Sequence, residues 1–228
     1  MTKQTAVIGY PIEHSVSPQI HNYWISKHKL NINQYKKISV APENLNTFLL
    51  QCKEEQYCGI NITIPHKQNT FDLCDRVSKT SAKLRAVNTV IFKNGMIIGD
   101  NTDAIGFQNS IPERIIHSNI KNQKTIVIGA GGAARSIIMI LEALGSDVIV
   151  ANRTIKNAEH MKNDLSLNFQ ICSLSEIPNY ISSCKCIINT TNLGMEQLEN
   201  NLINFNNVEV GTYVYDLIYN PKKTKFLK

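Results

Sequence analysis

Short apolar runs alternate with stretches of helical period along most of the chain. Residues 6–9, Ala-Val-Ile-Gly, read as a short apolar strand. Ser17-Pro18 opens a predicted helix reaching about His28, with Ser at the cap and Pro at the first helical position. Residues 35–40 form a second predicted strand, and from Pro42 to about Cys52 the apolar residues Leu45, Phe48 and Leu49 fall at helical spacing. Residues 59–64 alternate strictly and are stopped by Pro65. The pattern sends Ile60, Ile62 and Ile64 to one face and Asn61 and Thr63 to the other. Residues 86–92 and 96–98 flank Asn94-Gly95, a pair suited to the positive backbone angles of a tight hairpin.

The pattern changes near residues 99–106. Beyond them, residues 125–129, Thr-Ile-Val-Ile-Gly, read as a buried strand of the parallel type. A helix follows from about Ala133 to Leu144, stopped by Gly145, and residues 147–151 return as a strand. Residues 186–189 and 213–217 are later strands. A strand, helix and strand within about 30 residues form the unit from which doubly wound sheets are built. The expectation is an α/β protein of two parts.

Composition narrows this only modestly. The chain has 228 residues, of which 43% are apolar and 18% charged, an ordinary composition for a folded soluble protein. At ~150 residues per domain the length suits one large domain or two small ones. No apolar run approaches the ~18 residues of a membrane span, and the N-terminus lacks the apolar stretch and cleavage site of an export signal. The net charge is +6, but the lysines are scattered. The one cluster, Lys222, Lys223, Lys225 and Lys228, carries a single aromatic, Phe226, so no nucleic-acid role is expected. A mildly positive field also suits small anionic ligands. The six cysteines form no CxxC pair and no metal spacing, as expected of reduced thiols in a cytoplasm.

The clearest chemical signal is Gly129-Ala130-Gly131-Gly132-Ala133-Ala134, placed between strand and helix. It fits G-x-G-x-x-A. Gly129 makes the tight turn, Gly131 admits a pyrophosphate close to the backbone, and Ala134 lets the helix pack closely on the sheet. The N–H groups and partial positive charge at the helix start then face the phosphates. About 20 residues on, an NAD site places a carboxylate against the ribose. Here Asn152-Arg153-Thr154 stands instead, with Lys156 close by. Arg153 can pair with a 2′-phosphate and stack on adenine, which favours NADP.

The first part carries polar sets at strand ends and loops: Ser15 and Ser17; Asn61, Thr63 and Lys67; Asn88 and Thr89; Asn101, Thr102 and Asp103. Hydroxyls, amides, one cation and one carboxylate suit a small polyhydroxylated acid. Each also has a plain structural reading. Ser17 can cap its helix, Asp103 can cap a helix beginning near Ile105, and Asn88 can brace the hairpin. His14 and His66 read as structural.

Taken together, eight ordered blocks resemble the NADP-dependent shikimate dehydrogenase family. They are Gly9-Tyr10-Pro11 with His14 to Pro18 and His21-Asn22; residues 61–67; 86–89; 101–107; 129–134; 152–154; 188–195; and 216–221. The resemblance spans nearly the whole chain. It implies an N-terminal α/β substrate domain over residues 1–103 and a Rossmann-like, doubly wound NADP-binding domain over 104–228, with substrate in the cleft between them. The implied reaction is the reversible NADPH-dependent reduction of 3-dehydroshikimate to shikimate in aromatic amino-acid biosynthesis. By this similarity Lys67 and Asp103 form the catalytic pair. Ser15 and Ser17, helped by Tyr219, hold the substrate carboxylate. Asn61, Thr63, Asn88 and Asp103 contact ring hydroxyls. Gly129, Ala130, Gly131, Gly132 and Ala133 hold the pyrophosphate. Asn152, Arg153, Thr154, Lys156 and Asn157 surround the adenosine phosphate, and Leu217 lies near the cofactor. No metal is implied, and the expected protein is a cytoplasmic monomer or homodimer.

Two departures stand out. Asn157 occupies a position that is often basic in the family, with Lys156 beside it. The sequence ends at Lys228, where the resemblance implies a further Gly-rich stretch and a helix bearing a substrate-contacting Gln. The expectation is therefore a truncated sequence or a shortened form. Two alternatives stay open: a quinate/shikimate dehydrogenase of broader specificity, and a non-catalytic remnant that binds nucleotide without turnover.

Overall fold

The computed structural model describes residues 3–192, 205, 207–221 and 223–227. Leu193, Gly194 and Met195 of the seventh motif block, and Lys222 and Lys228 of the basic cluster, lie outside the described residues. Two compact units, Met1–Thr102 and Asp103–Lys228, account for the chain.

The first unit is built on β1 (Gln4–Gly9), α1 (Ser17–Lys27), β2 (Lys36–Ser39), α2 (Leu45–Glu54), β3 (Tyr57–Ile62), α3 (Lys67–Asp72), β4 (Arg76–Val77), α4 (Lys79–Leu84), β5 (Thr89–Lys93) and β6 (Met96–Asp100). Its six strands are ordered β2-β1-β3-β5-β6-β4. β1 runs parallel to both β2 and β3, whereas β5 is antiparallel to β3 and β6. Alternation along the strands divides the interior. Ala6, Ile8, Ile60 and Ile62 meet Leu45, Leu49 and Cys52 of α2 on one face. Val7 joins Ile12 and Tyr35 in a separate cluster. The hairpin turns at Asn94 and Gly95 with φ of 53° and 71°, the left-handed pair that this dipeptide adopts most easily.

Several expectations needed correction. The alternation of residues 59–64 stops at Ile62, and Ile64 is 55% exposed. The chain leaves the ladder there: Thr63 N–H donates back to the Ile8 carbonyl, while the Ile64 carbonyl accepts from Tyr10. The hairpin strand begins at Thr89, three residues later than predicted, because residues 86–88 serve as the connection to it and the Val87 N–H is taken by the Lys67 carbonyl. The helix expected from Pro42 begins as a 3-10 turn over Pro42–Asn44 before α2. Ser17 does not cap α1. It is the first helical residue, and the Ser15 hydroxyl accepts its N–H at 3.3 Å.

The second unit comprises α5 (Asp103–Ser110), α6 (Glu113–Ile115), β7 (Lys124–Ile128), α7 (Gly132–Ala143), β8 (Asp147–Ala151), α8 (Ile155–Leu165), β9 (Gln170–Cys172), β10 (Cys186–Asn189) and β11 (Tyr213–Asp216). Among the described residues its five strands are all parallel and ordered β11-β10-β7-β8-β9. In order of appearance this is 3-2-1-4-5 read from the far edge, the doubly wound arrangement. Both faces of the central strands are covered. Val127, Val148, Val150 and Ile188 pack against Ile137, Ile138 and Leu141 of α7 and Met161 of α8. Ile126, Ile128, Ile149 and Ile187 pack with Leu174, Ile177 and Ile181. Burial on both sides explains why these strands read as apolar runs. Among the described residues no helix is long and apolar enough to cross a membrane.

Candidate active site

The topology of the first sheet gathers its polar residues at one end. β1 and β3 finish there, β5 starts there and β6 finishes there, as the pairs Ile8 with Ile62, Asn61 with Thr89, and Thr89 with Asp100 require. Ser15 and Ser17 stand on the loop and helix start that follow β1. The Ser15 hydroxyl accepts the Ser17 N–H, while the N–H groups of Gln19 and Ile20 go to the Val16 carbonyl, so the Ser17 hydroxyl is not used as a cap.

Asn61 and Asn88 are joined through Thr89. Asn61 Nδ2 donates to Thr89 Oγ1 at 3.3 Å, and Thr89 Oγ1 donates to Asn88 Oδ1 at 2.9 Å. Asn88 Oδ1 also accepts the Thr102 N–H at 3.0 Å, and its Nδ2 donates to Thr102 Oγ1 at 3.0 Å. Asn88 therefore does brace the start of β5 against the end of β6 while standing among the polar set. Thr63 follows β3 so closely beside β1 that a Cβ on Gly9 would lie 2.6 Å from its Cγ2. Only a residue without a side chain fits there.

Lys67 opens α3, directly after His66. The His66 ring is fully buried, with Nε2 2.7 Å from the Val40 carbonyl, so Nε2 carries the hydrogen and donates. Burial holds this imidazole below its usual pKa. A neutral His66 anchors the turn under Lys67, whereas His14 is exposed. Asp103 opens α5 and is half-buried. It is not a cap for a helix at Ile105, because the helix already begins at Asp103, where a carboxylate in the first turn also suits the helix dipole. Lys67 belongs to the first unit and Asp103 to the second.

In the second unit the glycine turn leaves the C-terminal end of β7 where the strand order reverses between β7 and β10. Open α/β sheets bind ligands at that place. Gly129 has φ of +110°, and a Cβ on it would lie 2.5 Å from Thr190 Oγ1 and 2.7 Å from Thr191 Cγ2. Thr190 is held by its own bond, Oγ1 donating to the Ile128 carbonyl at 2.7 Å. Gly131 differs: no described residue lies within 4 Å of the position its Cβ would take. It is the N-cap of α7, and no side chain among the described residues caps that helix start. Ala134 is fully buried against the sheet.

β8 ends beside the turn, the Ala151 carbonyl accepting the Gly129 N–H at 2.8 Å. Asn152 Nδ2 donates to the Thr154 carbonyl at 2.8 Å, shaping the loop that carries Arg153. Arg153, Thr154, Lys156 and Asn157 are exposed, and the first turn of α8 has no acidic residue. Leu217 follows β11, its N–H donating to the Asn189 carbonyl at 3.1 Å, and Tyr219 beyond it is 57% exposed.

The polar ladder between Asn61 and Thr102 is only partly legible in the sequence. Thr89 and Thr102 stand in motif blocks that assign them no role, and Tyr35 falls within a predicted strand. Its hydroxyl donates to Asn61 Oδ1 at 2.6 Å. Likewise Thr190, Thr191 and Asp216 appeared only inside motif blocks. Asp216 accepts from Asn189 Nδ2 at 3.0 Å and from Thr224 Oγ1 at 2.6 Å. The signal that could have found Tyr35 is weak: one buried-type aromatic with a polar tip before a strand.

Comparison with known proteins places both parts. Residues 7–90 match the family model described as the shikimate dehydrogenase substrate binding domain, and residues 111–212 match that of shikimate / quinate 5-dehydrogenase. The shikimate dehydrogenase (NADP(+)) of Carboxydothermus hydrogenoformans is 38% identical over 232 residues, covering 100% of this chain and 82% of that protein. The crystal structure of shikimate dehydrogenase from Aquifex aeolicus superposes with a TM-score of 0.86 at 33% identity, over 99% of this chain and 82% of that one. That of the Thermus thermophilus enzyme in complex with NADP(H) and shikimate gives 0.77 at 29% identity, over 99% and 82%. Matched in order through both units and along its whole length, the chain belongs to the shikimate dehydrogenase family.

Proposed function

We propose that this protein reduces 3-dehydroshikimate to shikimate, reversibly, with NADPH. The observation that carries this reading is the family match along the full chain, into which the polar end of the first sheet and the glycine turn of the second both fall. The residues present fit the cofactor. Among the described residues, nothing fills the space at Gly131 or caps the helix start there, where N–H groups can meet a pyrophosphate. Arg153 and Lys156 stand exposed where NAD enzymes carry a carboxylate, as a 2′-phosphate requires. In this assignment Gly129, Ala130, Gly131, Gly132 and Ala133 hold the pyrophosphate. Asn152, Arg153, Thr154, Lys156 and Asn157 surround the adenosine phosphate, and Leu217 lies beside the cofactor. Bound there, NADPH supplies the hydride.

The chain's own residues do the rest. As the carbonyl carbon is reduced, negative charge grows on its oxygen, and the Lys67 ammonium stabilises that charge and gives up a proton to it. In the reverse direction Lys67 takes the hydroxyl proton back, with the Asp103 carboxylate accepting a hydrogen bond from the hydroxyl. Ser15, Ser17 and Tyr219 receive the substrate carboxylate, and Asn61, Thr63 and Asn88 bind ring hydroxyls. Holding the ring in one orientation is itself worth much of the rate, because the reacting atoms then meet without a search.

The test is spectrophotometric: NADP reduction is followed with shikimate and then with quinate, which the second family model also names. Turnover with shikimate is the expected result, and cofactor binding without turnover of either acid overturns the reading. The finer expectations are a cytoplasmic location and a monomer or homodimer. The first is supported by six cysteines that are all unbridged thiols.

A further inference from the structure

The hydrogen bonds around Asn61 have a fixed direction. A side-chain amide can present either its oxygen or its nitrogen, so what Asn61 offers a ligand depends on its neighbours. The direction is set at the far end by a backbone group that can only donate, the N–H of Thr102, which points at Asn88 Oδ1. That oxygen also receives the single hydrogen of the Thr89 hydroxyl. Thr89 then has only lone pairs left for Asn61 and must accept its Nδ2–H. The oxygen of Asn61 is thereby turned to the other side, where Tyr35 Oη donates to it at 2.6 Å.

Tyr35 is held firmly enough to do this. It is 4% exposed. Asn22 accepts its backbone N–H at 2.7 Å and donates to its carbonyl at 3.0 Å. The His21 ring stacks on the phenol ring at 4.2 Å with an interplanar angle of 7°. Burial pushes the phenol pKa well above its usual value, so the hydroxyl keeps its hydrogen at any working pH.

We infer that Tyr35 is a positioning residue for substrate recognition: its buried hydroxyl locks the Asn61 amide so that the second lone pair of Asn61 Oδ1 accepts a hydrogen bond from a ring hydroxyl of the substrate. This rests on the proposed reading of Asn61 as a hydroxyl-binding residue. Tyr35 touches no reacting atom, so its loss weakens binding without slowing chemistry.

The experiment is Tyr35→Phe in the full chain, assayed with shikimate and with shikimate analogues that each lack one non-reacting ring hydroxyl. Phe keeps the ring, the stack on His21 and the fold. The expected result is a KM for shikimate raised about tenfold, as loss of one hydrogen bond of ordinary strength gives, with kcat within about twofold. For the analogue lacking the hydroxyl read by Asn61, parent and variant should share one KM. Thr89→Val removes the acceptor of Asn61 Nδ2 and a donor to Asn88 Oδ1, so its KM for shikimate should also rise, and less for the analogue lacking the hydroxyl read by Asn61; it serves if Tyr35→Phe does not fold. An active parent with an unchanged KM in the variant overturns the inference alone. So does an equal rise for every analogue, which marks a merely structural role. A parent that turns over no shikimate defeats the underlying reading and the inference with it.

Discussion

Two glycines of one turn should respond in opposite ways to the same added methyl group. At Gly129 an alanine would have to hold φ near +110°, outside the regions open to L-residues, at a cost of about 1–3 kcal/mol. Its Cβ would also stand 2.5 Å from Thr190 Oγ1 and 2.7 Å from Thr191 Cγ2. One of these must retreat by about 1 Å to reach ordinary contact distance. Thr190 cannot do so freely, because its buried hydroxyl donates to the Ile128 carbonyl at 2.7 Å. Breaking that bond adds about 1–3 kcal/mol. Gly129→Ala should therefore lose about 2–6 kcal/mol, a large part of the 5–15 kcal/mol typical of a folded domain. At Gly131 a methyl group meets no described residue within 4 Å and φ is an ordinary −92°. Gly131→Ala should keep the parental stability within about 1 kcal/mol, since the only intrinsic change is a less flexible unfolded chain. It should nonetheless raise the KM for NADPH about tenfold or more, because the methyl group occupies the approach of the pyrophosphate. Denaturant unfolding, with initial rates at varied NADPH, measures both. A Gly129→Ala variant within about 0.5 kcal/mol of the parent would refute the packing argument, well below the summed cost above. A Gly131→Ala variant as unstable as Gly129→Ala would show that the open space is not what separates them.

Other substitutions test the remaining assignments. Arg153→Ala should raise the KM for NADPH by about tenfold or more while leaving that for NADH nearly unchanged, as expected from losing charge-assisted hydrogen bonds to a 2′-phosphate; equal changes for both cofactors reject the assignment. Lys67→Ala should lower kcat by ~10²–10⁴-fold with substrate affinity almost unaltered, and normal turnover removes Lys67 from the chemistry. His66 has its pKa lowered by burial, so the unfolded chain binds its proton more readily than the folded one. Its contribution to stability is complete above the ordinary imidazole value of about 6.5 and is lost as pH falls below it. His66→Gln should flatten the stability curve over that acidic range, and an unchanged slope would show that this imidazole does not titrate with unfolding.

Local pattern was enough for much of the architecture. The run of residues 125–129, the glycines after it and the helical period beyond them specify strand, turn and helix by short-range sterics alone, and Asn94-Gly95 specifies its hairpin in the same way. α3, α4 and the short strands β4 and β9 were not legible, because elements of six residues or fewer show too little period to stand out from a loop. α8 does carry a readable signal, since its buried residues Ala158, Met161 and Leu165 recur at helical spacing. Ile64 shows how pattern misleads: its alternation is sound, but the chain has already left the ladder, so an apolar residue faces solvent.

The sequence by itself determined the family, the two α/β units, the glycine turn and the residue types of the polar set. Each of these depends on contiguous residues or on order along the chain. Only the tertiary structure decided which strand ends meet, and hence that Asn61, Thr89, Asn88 and Thr102 form one directed chain of hydrogen bonds. It also decided that Tyr35, remote from them in sequence, closes that chain with its hydroxyl. Hydrogen bonds act over about 3 Å and depend on angle, so they follow from sheet register and side-chain packing, which no local pattern encodes.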